Sequence, residues 1–254
     1  MIAALGMYDR AELRSQTDAY WGAIRDGLRT RGIAAPDTLT RDDRAYWAGW
    51  TDPDLLLSQT CGLPFRARLH DKVALVGTPD FAVPGCPPGH YRSMLVARAD
   101  DPRDLTALAE ARFALNEDLS QSGWGAPWAH MTGLGLPIRP ALRTGGHVLS
   151  ARAVAEGAAD WAALDAVTWA LIESHDPALA GRLRVVDATA PTPGLPYITA
   201  LTRDPEPIRA AVAEAIAALP AETRAALRLQ GIVAIPVAAY LAQPLPPAPE
   251  LPDH

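Results

Sequence analysis

The chain has 254 residues, of which 49% are hydrophobic and 20% charged, and its formal net charge is -6 at pH 7. This balance is typical of a globular protein with one large domain or two smaller lobes, and it argues against a disordered chain. The negative charge and the lack of a dense Lys/Arg block argue against a nucleic-acid partner. No run of about 18 apolar residues occurs, which argues against a membrane-spanning segment.

The start of the chain and its two cysteines bear on the compartment. Residues 1–8 are too few, and too poor in basic residues, to form a signal peptide. We therefore expect either a cytoplasmic protein or a periplasmic protein whose leader has been removed. Cys61 and Cys86 have no zinc-site spacing, and two interpretations stay open for them: a disulfide in an oxidising compartment, or two free thiols.

The first part of the chain alternates apolar runs with amphipathic patterns, which favours an α/β fold with mostly parallel sheets. A helix is predicted over residues 11–31, because Tyr20, Ile24 and Leu28 share one face. Strands are predicted at Ile2–Met7, Asp54–Gln59, Val73–Gly77 and Tyr91–Ala99.

A second set of elements follows, and the chain then returns through a proline-rich connector at residues 191–194. Helices are predicted at 105–111, from about 122, at 150–158, at 167–175 and at 205–219. Strands are predicted at 113–116, 141–144, 161–165, 183–187 and 197–202. The tail from Gln243 is rich in proline, and we expect it to be extended and partly mobile.

This order predicts two α/β lobes. Residues 1–98 and 188–254 form a discontinuous first lobe, and residues 99–187 form an inserted second lobe. Two chain crossings between the lobes would act as a hinge, which would place the ligand in the cleft between them.

Eight short strings along the chain carry a family resemblance. They are GMYD (6–9), DLLLSQTCGLP (54–64), VGTPDFAVPGC (76–86), YRSMLVARADDP (91–102), NEDLSQSGWG (116–125), GGH (145–147), EGAADWAALDAVTW (156–169) and TAPTPGLPYIT (189–199). In this order they resemble the PhnD-like phosphate- and phosphonate-binding proteins of ABC transporters, which have the type 2 periplasmic-binding-protein fold. The resemblance implies a hinge-closing protein that delivers a small solute to a membrane permease. We expect it to need no metal or organic cofactor and to be a monomer, since a closing cleft needs no partner subunit.

The segment 116–125 is the main candidate for binding an anion. A strand ends at Asn116, and a Ser/Gly-rich turn then opens a helix, where backbone N–H groups and the helix dipole favour negative charge. Ser120, Ser122 and Gly123 match the family's phosphonate loop, with Gln121 in place of its middle hydroxyl residue. The alternative is that Ser120 only caps the helix.

Asp165 and His147 are further candidates in the second lobe. Asp165 ends a strand directly before a helix, where the family has an acidic residue that meets a ligand amine, although Leu164 replaces a second acidic residue before it. His147 follows two glycines and resembles a family histidine near the anion. The alternatives are a helix cap for Asp165 and a local hydrogen bond for His147.

In the first lobe, strand ends are expected to bring Tyr8, Gln59 and Thr60 to one edge of the cleft. Tyr8 would stack on the ligand or hydrogen-bond to it, and Gln59 and Thr60 would donate hydrogen bonds to its oxygens. The alternatives are a packed tyrosine and a turn residue without a ligand. Tyr91 matches a ligand-contacting aromatic of the family. Trp124 is a candidate for lining the cleft because it lies next to the anion turn.

Two other classes of function stay open. The protein would be a small-molecule sensor if it lies in the cytoplasm without a transporter. It would be an enzyme acting on a cofactor precursor if Asp165 or His147 served as an acid or base, with Cys61 as nucleophile. We predict a binding protein, since the sequence has no catalytic triad motif, P-loop or paired metal-ligand spacing.

Overall fold

The computed structural model describes residues 1–252 of the chain. The β-strands, in chain order, are β1 (Ile2–Ala4), β2 (Leu55–Gln59), β3 (Val73–Asp80), β4 (His90–Tyr91), β5 (Ser93–Arg98), β6 (Arg112–Leu115), β7 (Arg139–Arg143), β8 (Trp161–Asp165), β9 (Leu183–Ala188), β10 (Thr192–Pro193), β11 (Tyr197–Ala200) and β12 (Gly231–Val233).

The α-helices are α1 (Arg14–Thr30), α2 (Trp47–Trp50), α3 (Gly62–Pro64), α4 (Leu105–Leu108), α5 (Ala126–Gly133), α6 (His147–Ala155), α7 (Ala166–His175), α8 (Pro177–Ala180), α9 (Pro205–Ala218), α10 (Ala221–Ala226) and α11 (Val237–Leu241). Two π-helical turns, Phe65–Leu69 and Gln121–Gly125, extend α3 and precede α5.

The chain divides into two compact units. The first contains residues 1–90 and 193–242, and the second contains residues 91–192 and 243–254. The sequence placed residues 93–98 in the first lobe, but β5 pairs along its length with β8 and β9 of the second unit. The tail from Gln243 was also expected with the first lobe, and it belongs instead to the second unit.

Each unit is built on a five-stranded mixed sheet. The strand order is β1-β2-β11-β3-β12 in the first unit and β7-β6-β8-β5-β9 in the second. Four strands correspond in order and direction: β1, β2, β11 and β3 in one sheet, and β6, β8, β5 and β9 in the other. In both, the third strand of this set is antiparallel to its neighbours, so the sheets are less uniformly parallel than predicted.

The centre of the second sheet is buried on both faces. Consecutive residues of β8 pack alternately into two apolar clusters: Trp161 and Ala163 into one, Ala162 and Leu164 into the other. A strand covered on both sides has no polar face, which explains why these strands read as continuous apolar runs. Strands β4 and β10 form a separate two-stranded sheet at the points where the chain passes between the units.

The first unit buries a single apolar stripe of α1. Tyr20, Ile24 and Leu28 lie on this stripe, as the helical periodicity predicts. Gly27 lies beside α9, where a Cβ would be 3.5 Å from the Cβ of Ala211. The helices α1 and α9 and the strands β2, β8 and β9 are confirmed close to their predicted positions.

Candidate functional site

In the second unit, the predicted anion turn is a π-helical turn that leads into α5. The Ser120 hydroxyl accepts the Gly123 N–H at 2.9 Å, and the Ser120 carbonyl accepts the N–H groups of Trp124 and Gly125 at 3.1 and 2.9 Å. Ser120 is thus the cap of this turn, which was the alternative that the sequence left open. Ser120 and Gly123 shape the turn and bind each other.

Ser122 is the residue of this turn that offers donors. It occupies the second position of the helical turn, and N–H groups at such positions have no acceptor inside the turn. Its hydroxyl lies 2.8 Å from Nε2 of His147. Ser122 and Gln121 are each 3% exposed, so any hydrogen bond made here is shielded from water. A hydroxyl, an N–H and a helix start together suit the oxygens of an anion.

His147 is the first residue of α6, and its imidazole ring contacts Ser122 of the anion turn. Besides Ser122, its Nε2 lies 3.4 Å from Nδ2 of Asn116. The pKa of His147 is lowered because burial penalises the charged imidazolium, and the Asp165 carboxylate and the Ala163 backbone oppose this only in part. The imidazole is therefore neutral at pH 7 and bonds to Ser122 as a neutral group.

Asn116 packs directly on the anion turn. A Cβ placed on Gly123 would lie 1.7 Å from Oδ1 of Asn116, so a larger residue at position 123 requires the turn or this amide to move. From the sequence, Asn116 was expected only to end a strand. Its signal is its position: a polar residue directly after the buried strand β6.

Asp165 ends β8 and caps α7. Its Oδ1 accepts the N–H groups of Val167 and Thr168 at 2.7 and 2.9 Å, and the residue is 2% exposed. This is the helix-cap role that the sequence left open for it. Its charge also reaches His147, whose protonated form it favours. Recognition of a ligand amine by Asp165 stays a prediction.

In the first unit, Gln59 and Thr60 stand at the end of β2. Nε2 of Gln59 donates to the Leu195 carbonyl at 3.3 Å, and the N–H of Thr60 donates to the Pro196 carbonyl at 3.0 Å. Thr60 is fully buried, and among residues 1–252 its hydroxyl has no hydrogen-bond partner. A buried hydroxyl without a partner is unfavourable, and its bonding to a ligand stays a prediction.

Aromatic rings surround the end of β1. Tyr8 packs edge-on against Phe81, with ring centroids 5.0 Å apart. Tyr46 was not among the predicted residues. Its hydroxyl donates to the Gly6 carbonyl at 3.2 Å, its ring lies 3.1 Å from where a Gly6 Cβ would be, and it is 44% exposed. Tyr46 lies in a loop without periodicity, so the sequence gave no signal for it.

Two predicted aromatic residues have other surroundings. Tyr91 is buried in β4 and belongs to the second unit. Trp124 is 3% exposed, and its Nε1 donates to the Pro247 carbonyl at 2.8 Å. Together with Trp128 it lines a cavity of about 540 Å³ beneath residues 247–252. Trp124 therefore contacts the tail, and the partial mobility expected for the tail stays a prediction.

The remaining local predictions have simple outcomes. Cys61 is buried and Cys86 is half-buried, and the structure joins them in no disulfide. Within residues 1–252, no helix is both long and apolar enough to cross a membrane.

Comparisons with known proteins give a family and a fold. Residues 66–239, more than half of the chain, match the family described as "ABC transporter, phosphonate, periplasmic substrate-binding protein". No curated protein matches the chain.

Among solved structures, the chain is similar to PhnD1 from Prochlorococcus marinus (MIT 9301) in complex with methylphosphonate, with a TM-score of 0.70, 16% identity and 94% of each chain covered. It is also similar to XAC2383 from Xanthomonas citri bound to ATP, with a TM-score of 0.66, 18% identity and coverage of 94% of this chain and 92% of the other.

A third similar structure is a binding-protein component of an ABC phosphonate transporter (PA3383) from Pseudomonas aeruginosa, with a TM-score of 0.67, 17% identity and coverage of 91% and 80%. At these identities the likeness shows the fold, and the predicted α/β periplasmic-binding-protein fold is confirmed.

Proposed function

The chain belongs to the family of periplasmic substrate-binding proteins of phosphonate ABC transporters, as the sequence resemblance predicted, and from this premise we propose that it binds a small phosphonate-class anion at the turn Ser120–Gly123. The observation that carries the proposal is the buried donor set around Ser122. Its hydroxyl and its N–H lie at the start of a helical segment, and its hydroxyl is bonded to His147.

The chemistry of this set favours a tetrahedral anion. Hydrogen bonds to a charged oxygen contribute about 1.5–3 kcal/mol each, and more donors are satisfied when one group presents several oxygens. His147 is neutral in the ligand-free protein because of burial. An anion beside it favours the charged imidazolium, so ligand charge and His147 protonation reinforce each other. PhnD1, a structural relative, is seen with methylphosphonate, which supports this ligand class.

The first unit contributes the other contacts in this proposal. Thr60 has a buried hydroxyl without a partner among residues 1–252, and Gln59 lies beside it. Tyr8 and Tyr46 offer aromatic faces for the organic part of the ligand. The sequence prediction that both lobes bind one ligand and close on it is part of this proposal.

The biological role follows from the ligand. The protein would act as a monomer in the periplasm and release its ligand, chemically unchanged, to an ABC permease. Ligand turnover is not part of this role, and recovery of intact ligand after prolonged incubation distinguishes binding from catalysis.

Calorimetric titration of the purified chain tests the proposal. Methylphosphonate, an aminoalkyl phosphonate, phosphate and small carboxylates would be compared, with unfolding measured in parallel. A ligand at 100 times its Kd stabilises by about 2.7 kcal/mol. We expect methylphosphonate or phosphate to bind, and Ser122→Ala to weaken binding about tenfold or more.

The matched control is Ser174→Ala. Its hydroxyl donates to the Ala170 carbonyl at 2.8 Å on the exposed side of α7, away from the anion turn, so its affinity should equal that of the wild type. Small-angle X-ray scattering with and without methylphosphonate tests closure, which predicts a smaller radius of gyration. The proposal is wrong if no phosphonate or phosphate binds, or if Ser122→Ala binds like the wild type.

A further inference from the structure

The Ser122 carbonyl has no backbone N–H partner in the π-helical hydrogen-bond pattern. In the π-helical turn the Ala126 N–H donates to the Gln121 carbonyl, so the residue that would serve Ser122 in the same pattern is Pro127. Proline has no N–H to donate. A buried carbonyl without a donor is costly, and this one is bonded by a side chain from another strand: the Ser93 hydroxyl donates to it at 2.8 Å.

The backbone of Ser93 is held by hydrogen bonds, so its side chain can hold the turn in place. It is 1% exposed and begins β5, where it lies opposite Asp165 of β8. Its N–H donates to the Thr189 hydroxyl at 3.0 Å, and its carbonyl accepts the Thr189 N–H at 3.0 Å. Its backbone is therefore held from two sides, while its hydroxyl holds Ser122.

Ser93 and Thr189 belong to two chain segments that lie next to the points where the chain passes between the units. Residues 91–93 follow the point where the chain enters the second unit, and Thr189 precedes the point near Thr192 where it leaves. A bond from this pair of segments to the Ser122 carbonyl fixes the peptide plane of the turn. This plane also contains the Gly123 N–H, which donates to the Ser120 hydroxyl, so the bond from Ser93 holds the backbone that carries the Ser122 donors.

We infer that Ser93 is a positioning residue, which holds the Ser122 peptide in the orientation that binds the anion and links the turn to both crossing segments. This inference rests on the proposed function for its effect on affinity, but not for its effect on the turn itself. Ser93 touches no ligand in this scheme and acts only through Ser122.

The test compares Ser93→Ala with Thr199→Val. Thr199 is the matched control: it is fully buried in β11, the strand of the first unit that corresponds to β5, and its hydroxyl donates to the Leu55 carbonyl at 3.3 Å. Each variant removes one buried hydroxyl that bonds to a backbone carbonyl. Ser93→Thr, which keeps the hydroxyl, is the conservative variant.

Two measurements are made on the full-length chain. Amide hydrogen exchange of residues 121–125 in ligand-free protein reports on the turn, and titration with methylphosphonate reports on binding. We expect Ser93→Ala to speed exchange in the turn and to weaken binding about three- to tenfold, the size of one lost hydrogen bond. Thr199→Val should change neither, and Ser93→Thr should restore both.

The outcomes separate this inference from the proposed function. If Ser93→Ala leaves exchange in the turn unchanged, Ser93 does not position it and the inference is wrong, whatever the ligand. If exchange rises but wild-type protein binds no phosphonate, the positioning role stands and the proposed function fails. If exchange rises equally in Thr199→Val, the effect is general loosening and the inference is overturned.

Discussion

The two units place different chemistry at the ends of corresponding strands. After β6 and β8 of the second unit, polar groups are bonded to one another: Ser120 to Gly123, Ser122 to His147, and Asp165 to the start of α7. After β1 and β2 of the first unit stand aromatic rings and a buried hydroxyl that has no partner within residues 1–252.

This difference indicates that the two units contribute differently to ligand binding in the proposed function. A bonded polar set holds its geometry before the ligand arrives, so little free energy is spent on ordering it. Aromatic faces and a single unpartnered hydroxyl make fewer geometric demands and suit the variable, organic part of a ligand. In the proposed function, the second unit would define the charged group and the first unit would add selectivity.

The largest expected effect is from Gly123→Ala in the second unit. The new methyl group would lie 1.7 Å from Oδ1 of Asn116, so the turn or the amide must move. We expect a loss of about 1–3 kcal/mol of stability and a tenfold or greater loss of affinity for methylphosphonate. Chemical denaturation and calorimetric titration measure the two effects.

Gly133→Ala is the control for that substitution. Gly133 ends α5, and no atom lies within 4 Å of its Cβ position. Alanine is favoured over glycine in a helix, so stability should be unchanged or higher by up to about 1 kcal/mol. If Gly123→Ala behaves like Gly133→Ala, the turn is not rigid and the contrast between the units is lost.

The fold and the second-unit residues were largely predictable from the sequence. Strands such as Trp161–Asp165 appear as continuous apolar runs, and polar residues that directly follow them mark strand ends. Ser122 was predicted from the Ser/Gly-rich turn after β6 and His147 from the family resemblance, and the structure places the Ser122 hydroxyl 2.8 Å from Nε2 of His147. The type 2 fold came from the order of the short family strings.

Other features depend on contacts distant in sequence. Tyr46 lies over Gly6, 40 residues away, and Trp124 binds the carbonyl of Pro247, 123 residues away. Neither contact has a local periodicity. The unit boundary was misplaced at residue 98 because β5 is apolar and suits either sheet, and only its pairing with β8 assigns it.

An intermediate effect is expected in the first unit. Thr60→Val removes the unpartnered hydroxyl while keeping the shape of the side chain. Without ligand, the variant should be as stable as the wild type or more stable, by up to about 1–3 kcal/mol, because an unsatisfied buried group is lost. Binding of methylphosphonate should weaken about three- to tenfold, since the hydroxyl no longer donates to the ligand.

Ser58→Ala is the comparison for Thr60. Ser58 lies two residues earlier in β2, is also buried, and its hydroxyl has no partner in the described part of the chain. It should gain stability in the same way but bind the ligand with wild-type affinity. Equal affinity in Thr60→Val and wild type would remove the first-unit hydroxyl from the site and leave only its aromatic rings.

The smallest expected effect concerns pH and returns to the second unit. The pKa of His147 is lowered in the folded protein by burial, while in the unfolded chain it has its ordinary value of 6.5. As the pH falls through 6.5, the unfolded chain takes up a proton that the folded protein resists, so this contribution to stability is present above this pH and is lost below it.

Denaturation of wild type and His147→Gln between pH 8 and 5 measures this contribution, and the variant should show the weaker pH dependence. His175→Gln, at an exposed histidine outside this set, is the control substitution. Equal slopes in wild type and His147→Gln would mean that His147 is hydrated and free to protonate. The bonded set around Ser122 would then be no better shielded from water than the aromatic edge of the first unit.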